Sequence, residues 1–186
     1  MILIYICLVL FQVGLIVFFA WRNRLHPKPE SVSIINPFDR QRNIALNVSP
    51  AQLKLTIPDD ETLVYGMVID MEIEGGFMTL ACYITGAAAL YFSSGGRISE
   101  GGKNVEVAES AVEFVTEAQG FLETAQLIKI PVLPEHGFVN FYFLTNKGKY
   151  IAKENMNYIN DNSSLLLGLF EKASNVISKI HKNTLG

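Results

Sequence analysis

The chain has 186 residues and a formal net charge of −3, with 15 lysines and arginines against 18 aspartates and glutamates. This balance provides no basic surface for a phosphate backbone, so nucleic-acid binding is disfavoured. The two cysteines, Cys7 and Cys82, lie in an apolar N-terminal run and in a predicted strand. They are therefore not expected to form a framework disulfide, and a reducing compartment is predicted.

The N-terminal segment is the most apolar part of the chain. From Ile2 to Ala20 the only polar side chain of note is Gln12, and a helix over these residues spans about 28 Å, close to the thickness of a bilayer core. No charged side chain precedes the run, and Phe18 stands at the −3 position of a cleavage site after Ala20. A retained transmembrane anchor is therefore favoured over a signal peptide.

Basic residues directly follow this run and set its predicted orientation. Trp21 suits a membrane interface, and Arg22 and Arg24 come next, so the positive-inside rule places the N-terminus outside and the rest of the chain in the cytoplasm. The opposite orientation is the alternative. The sequence thus predicts a single-pass membrane protein that contacts the lipid bilayer. Its parts are an anchor (2–21), a juxtamembrane tether (22–49) and one α+β domain (50–186).

The predicted tether contains one short helix. Asn36 is a good N-cap and Pro37 suits the first helical position, which predicts a helix over residues 38–46. Arg40 and Arg42 lie on this helix. Their side chains are expected on a solvated face, with contact to anionic headgroups as the alternative.

Three strands are predicted next. Residues 63–74 alternate between two faces, one apolar from Leu63 to Ile73 and the other acidic over its second half, which is typical of a half-buried strand. The pair Gly75-Gly76 predicts a hairpin to a strand at 77–84, and an alanine-rich strand follows at 87–93. The acidic residues of the first strand fall on its polar face, where they are expected to meet solvent or, as an alternative, a cation. These residues are Asp70, Glu72 and Glu74.

The second half of the domain begins with an amphipathic helix capped by Asn104. One side carries an apolar stripe from Val107 to Ala125. The other side carries an acidic ridge that is predicted to be a solvated face or, alternatively, a surface for a basic partner. The ridge consists of Glu106, Glu109, Glu113 and Glu117.

A hairpin at residues 138–145 and 149–153 and a C-terminal helix complete the predicted domain. The order β-β-β-α-β-β-α predicts an α+β fold with a five-stranded antiparallel sheet. If both long helices pack on one face of this sheet, the aromatic residues of the other face form a patch that requires a partner.

Two resemblances accompany these elements. The stretch Thr-Gly-Ala-Ala-Ala-Leu-Tyr-Phe-Ser-Ser-Gly-Gly at residues 85–96, with Phe-Tyr-Phe-Leu-Thr at 141–145, is similar to sequences of a bacterial protein family without an assigned activity. The element order over about residues 50–182 resembles the profilin-like group, in particular roadblock and longin domains. That resemblance implies a small interaction platform that often dimerises.

A glycine-rich stretch between the third strand and the helix is the candidate ligand site. Backbone N–H groups near a helix N-terminus attract anions, and two basic side chains flank the glycines. The Walker pattern is not met, because Arg97 stands where its first glycine belongs, so a flexible connector is the alternative. The candidate residues are Gly95, Gly96, Arg97, Gly101, Gly102, Lys103 and Asn104.

Catalytic and metal-binding patterns are weak. Ser93 or Ser94 with His136 and Asp70 supplies the residue types of a hydrolase, but no Gly-x-Ser-x-Gly elbow surrounds either serine. The histidines are far apart and no Cys-x-x-Cys or His-Glu-x-x-His motif occurs, so no metal, cofactor or catalytic residue is predicted. The sequence favours a protein-interaction or scaffold domain that binds a protein partner or a second copy. The alternative is a ligand-sensing domain that uses the glycine-rich stretch.

Overall fold

The computed structural model describes residues 36–101 and 104–184, and every contact given below lies within them. In this part of the chain, seven strands form one antiparallel sheet in the spatial order β4-β3-β2-β1-β6-β7-β5. The strands are β1 (Val64–Ile73), β2 (Gly76–Tyr83), β3 (Ala87–Phe92), β4 (Arg97–Gly101), β5 (Gln126–Ile128), β6 (Phe138–Thr145) and β7 (Gly148–Asn155).

The predicted five-stranded sheet is wrong in its strand count. The five expected strands form the contiguous centre of the sheet, β3-β2-β1-β6-β7, and the α+β class holds. Two short strands extend this centre at its edges. Strand β4 lies where a flexible loop was expected, and β5 follows the long helix where no strand was predicted.

Four α-helices accompany the sheet in the described part of the chain: α1 (Pro37–Leu46), α2 (Val105–Ala118), α3 (Met156–Asn160) and α4 (Leu167–Thr184). The predicted cap of α1 is confirmed, because the side chain of Asn36 accepts a hydrogen bond from the Phe38 amide at 3.1 Å. Helix α2 begins as predicted, with Asn104 accepting from the Val107 amide at 3.2 Å, and continues as a 3₁₀ turn over Gln119–Thr124.

Helices α2 and α4 pack on one face of the sheet. Fully buried Phe114 of α2 and Leu169 of α4 share a core with the apolar residues of the central strands, such as Ile69. Helix α2 lies close against the turn between β2 and β3. A Cβ added at Gly86 would lie 2.9 Å from the Ala108 Cβ, so this turn has room for glycine alone.

Helix α1 covers the opposite face. Leu46 is buried against Val68 and Tyr142, and the Tyr83 hydroxyl donates to the Ala45 carbonyl at 2.9 Å. The aromatic side chains of this face are therefore covered by the chain itself. Helix α1 also belongs to the same compact unit as the sheet.

The alternation predicted for the first strand is interrupted near its start. The pairing of β1 with β6 shifts register between Val64 and Gly66, and this irregularity places Tyr65 on the α1 face instead of with Met67. The Tyr65 hydroxyl then donates to the Val48 carbonyl at 2.8 Å.

The predicted anchor at residues 2–21 lies outside the described residues. Among residues 36–101 and 104–184, no helix has the length and apolar character needed to cross a bilayer. The described structure therefore gives no support to the predicted N-terminal transmembrane helix of a single-pass membrane protein, and this prediction is corrected. The predicted membrane localisation, with the N-terminus outside and the domain in the cytoplasm, is withdrawn with it.

Candidate functional site

A row of polar side chains crosses the α1 face of the sheet in the middle of three adjacent strands. Asp70 of β1 pairs in register with Thr79 of β2 on one side and with Asn140 of β6 on the other. All three side chains are fully buried. A buried carboxylate and a buried amide require partners inside the protein, because they have lost those that water supplied.

Arg42 of α1 supplies the partner for the carboxylate. Its Nε and Nη2 atoms lie 2.7 Å and 2.6 Å from Asp70 Oδ2, and the Thr79 hydroxyl donates to Asp70 Oδ1 at 2.6 Å. Burial raises the pKa of Asp70, and the hydrogen bond and charge of Arg42 oppose that rise. The structure thus places Arg42 and Asp70 together inside the fold, where the sequence favoured solvated positions for both.

The same guanidinium reaches the loop between β5 and β6. Its Nη2 atom donates to the Val132 carbonyl at 3.1 Å, the Asn140 amide donates to that oxygen at 3.1 Å, and the Tyr142 hydroxyl donates to it as well. We call residues 129–134 the strap. Three donors from two elements therefore hold a single carbonyl of the strap against the sheet.

The polar cluster is not fully satisfied. Asn140 Nδ2 also bonds the Tyr142 hydroxyl at 3.1 Å, but Asn140 Oδ1 is buried without a hydrogen-bond partner among the described residues. The Arg42 guanidinium lies 5.6 Å from the centroid of the Tyr142 ring, so it also makes a cation–π contact. Burial raises the pKa of the Tyr142 hydroxyl, which keeps it a donor.

Apolar side chains are exposed at the edge of the sheet beside the strap. In the described chain, β5 is the last strand of the sheet and pairs only with β7. Leu127 is 62% exposed, Ile130 78% and Val132 52%. We call residues 126–132 the interaction edge. It combines unpaired backbone groups with large apolar side chains at the protein surface.

The structure divides the predicted glycine-rich site between the two ends of β4. Gly95 and Gly96 form the hairpin turn, with φ of +99° and +106°, whereas Asn104 caps α2 beyond the other end. A strand rises about 3.3 Å per residue, so the five residues of β4 separate these positions by roughly 15 Å. Arg97 and Gly101 are the first and last residues of β4. Gly102 and Lys103 lie outside the described residues.

One part of that stretch lines a cleft. Gly95 and Gly96, with Phe92, Ser93 and Ser94, form one side of a cleft of about 270 Å³. The other side is the start of α1, residues 36–38 and Gln41. Arg97, the cation expected to attract an anion, is exposed and is not among the lining residues.

The predicted acidic ridge faces the lysines of α4 over part of its length. Lys172 Nζ lies 2.5 Å from a Glu113 carboxylate oxygen and 3.4 Å from one of Glu117. The hydrogen bond from Lys172 lowers the pKa of Glu113. Glu106 and Glu109 are exposed, and the Glu106 carbonyl lies 3.4 Å from Lys179 Nζ. Two of the four ridge residues are thus engaged within the molecule.

The residue types of a hydrolase have separate partners. Asp70 pairs with Arg42, His136 Nδ1 lies 2.7 Å from Glu72 Oε2, and the Ser93 hydroxyl accepts from the Phe77 amide at 2.8 Å. Over the described ranges, no group of three His, Cys, Asp or Glu side chains is arranged to hold a metal ion.

Sequence reasoning missed both the polar cluster and the interaction edge. One signal for the cluster is present in the sequence: Asp70, Thr79 and Asn140 each interrupt the apolar core of a strand, where an isolated polar residue requires a specific partner. No comparable signal identifies the partner Arg42, because its distance from Asp70 depends on how α1 packs.

No protein-family model, curated protein or solved structure matches this chain. The resemblance to profilin-like domains and to a bacterial family therefore stays a prediction.

Proposed function

We propose that this chain is a protein-interaction domain and that its contact surface is the interaction edge. The observation that carries the proposal is the exposure of Leu127 on β5, the last strand of the described sheet, and of Ile130 and Val132 just after it in the chain. An open strand edge offers unpaired N–H and C=O groups that another chain can bond by adding a strand. The apolar side chains on either side of this backbone then bury surface against that strand.

The two edges of the sheet differ in a way that supports this choice. At the other edge, Arg97 and Ser99 of β4 are exposed, and charged or polar side chains are a common protection against strand addition. At the β5 edge, Lys129 is the one charged side chain between Leu127 and Val132. The β5 edge is therefore the less protected of the two.

A photo-reactive amino acid tests this function in cells that produce the full chain. Placed at position 130, it should form a discrete covalent adduct with a protein on irradiation. The matched control places it at Asn157, which is also exposed but lies on α3. An adduct of twice the chain mass identifies a second copy, and any other mass identifies a different protein. Equal labelling at 130 and 157, or none at 130, would overturn the proposal.

A small-molecule site is the second candidate function, and the cleft at Gly95 and Gly96 is the observation in its favour. The Asn36 side chain already accepts from the Phe38 amide, and the Asp39 carboxylate lies in the same first turn. Both features disfavour an anion at this helix N-terminus, so a neutral polar ligand is the better fit.

Native mass spectrometry of the purified full chain tests this second function. A retained small mass should be lost in Gln41→Ala, which changes a cleft residue, and kept in Asn43→Ala, which changes an exposed residue of the same helix. A mass that survives both changes, or no retained mass from any preparation, would exclude the cleft as a ligand site.

A further inference from the structure

We infer that Arg42 is a latch: a positioning residue that fixes the strap, and with it the interaction edge, by binding Asp70 and the Val132 carbonyl at the same time. The inference rests on the proposed function in that Ile130 and Val132 belong to both the strap and the interaction edge. The latch itself is a property of the isolated chain.

The first support is the reach of the guanidinium. Arg42 bonds Asp70 through Nε and Nη2 and bonds the Val132 carbonyl through the same Nη2. A planar guanidinium presents several N–H donors in fixed directions, so one side chain can join two acceptors. Arg42 thereby links three elements of the chain: α1, the central strand β1 and the strap.

The second support is the number of donors on one acceptor. A carbonyl oxygen has two lone pairs, yet the Val132 oxygen receives Arg42, Asn140 and Tyr142. In the strap, Lys129, Ile130 and Val132 are exposed, Pro131 and Leu133 are half-buried, and Pro134 is buried. Ile130 and Val132 are more than half exposed, so the burial of their side chains does little to hold the backbone in place.

The third support is the incomplete satisfaction of the closed arrangement. Asn140 Oδ1 is buried without a partner in the described chain, which lowers the stability of the closed strap relative to an open one. The strap is held by the donors to this one carbonyl and by the buried side chain of Pro134, at the cost of one unpaired polar atom, and a segment with so few attachments belongs to the low-stability part of a fold. Asn140 and Tyr142 still donate to the Val132 carbonyl when the Arg42 bond is lost, so we expect the strap to open more often, and to do so before the sheet unfolds.

Arg42→Lys tests the latch in the full chain. Lysine keeps the positive charge beside Asp70, but its single ammonium group cannot reproduce the guanidinium fork that also reaches Val132. The readout is limited trypsin digestion, because Lys129 is exposed at the start of the strap and cleavage there requires local opening. Cleavage at the exposed Lys182 near the end of α4 serves as the internal reference.

Cleavage after Lys129 should rise by about tenfold or more in Arg42→Lys, with the Lys182 rate unchanged. Tyr65→Phe is the matched control, since it removes one partly buried hydrogen bond on the same sheet face without touching the strap. It should leave both rates at their original values. A folded Arg42→Lys chain with the original Lys129 rate would overturn the inference.

A measurement on the unaltered chain covers the case in which Arg42→Lys does not fold. Backbone amide order parameters from NMR relaxation should be as high for Val132 and Leu133 as for strand β6. Values as low as those of the hairpin turn at Gly95 and Gly96 would overturn the latch. Neither experiment uses a partner, so each can support or overturn the latch independently of strand addition at the interaction edge.

Discussion

Arg42 and Asp70 are 28 residues apart in sequence and meet inside the protein at 2.6 Å, one from helix α1 and the other from the central strand β1. The Asp70 side chain is fully buried and that of Arg42 is 11% exposed. Removal of either partner would leave a charge with no water and no counter-charge. This ion pair therefore fixes α1 to the sheet, even though it adds little to the free energy of unfolding compared with an apolar pair of the same size.

Arg42→Met should lower the free energy of unfolding by about 3 to 5 kcal/mol, because Asp70 is left as an uncompensated buried charge. Urea denaturation followed by circular dichroism measures this change. The double variant Arg42→Met with Asp70→Asn should be more stable than Arg42→Met alone, since the neutral amide can still bond Thr79. A double variant that loses the sum of the two single effects would show that the pair is not coupled.

The position of Asp70 shows where sequence reasoning ends. The alternation of β1 correctly separates its two faces beyond the register shift. It nevertheless predicts that Asp70 lies on a solvent-exposed face, because Glu72 and Glu74 follow on that side. Whether that face is exposed to solvent depends on which element packs over it. The cap at Asn36-Pro37 predicts that α1 forms, while its docking on β1, β2 and β6 depends on long-range packing that no local pattern encodes.

Gly86→Ala should cost about 2 to 4 kcal/mol of stability, and Gly95→Ala only about 1 kcal/mol. Both glycines have positive φ, +83° and +99°, so an added Cβ strains the backbone at each. At Gly86 the new atom also meets the Ala108 Cβ at 2.9 Å, whereas at Gly95 nothing lies within 4 Å. Urea midpoints of the two variants compare the costs directly. Equal losses of stability would mean that the β2–β3 turn and α2 lie farther apart at Gly86 and Ala108 than in the structure.

The edge strands show a second limit of sequence reasoning. Strands β1, β2 and β6 each carry six or more consecutive buried positions, and the apolar runs that fill them are strong signals. Strand β4 reads Arg-Ile-Ser-Glu-Gly between glycine pairs, and β5 has only three residues. Each is a strand because a neighbour in the sheet supplies its hydrogen bonds, β3 for β4 and β7 for β5. The strand of the interaction edge thus depends on tertiary pairing, and the strap that follows it depends on tertiary hydrogen bonds.

The ion pair between Glu113 and Lys172 should contribute stability that depends on acid pH. The hydrogen bond from Lys172 lowers the pKa of Glu113 in the folded state below its ordinary 4.5, so the unfolded state binds the proton first as the pH falls. The contribution is present above pH 4.5 and is lost as the pH falls through the folded-state pKa. Because the pair is exposed, the effect is small.

Urea midpoints between pH 7 and pH 3 check this expectation. Glu113→Gln should flatten the acid limb of the stability curve, and Lys172→Met should flatten it to a similar degree. The double variant should add little to either, since both changes remove the same interaction. An acid limb that keeps its slope in Glu113→Gln would show that the pair does not form in solution.

Ile130→Asp should abolish covalent capture at the interaction edge, with the photo-reactive group moved to position 127, and should leave the fold intact. The Ile130 side chain is 78% exposed, so its replacement is expected to change the free energy of unfolding by no more than about 0.5 kcal/mol. A carboxylate at the centre of an added strand would lose its hydration on binding and would find no fixed cation to compensate.

Leu165→Asp is the matched control, because Leu165 is an apolar residue with 83% exposure that lies before α4, in a different part of the chain. Capture should persist in Leu165→Asp and disappear in Ile130→Asp at equal stability. Loss of capture in both variants would point to a general requirement for surface apolarity, and persistence in both would remove the interaction edge from the contact surface.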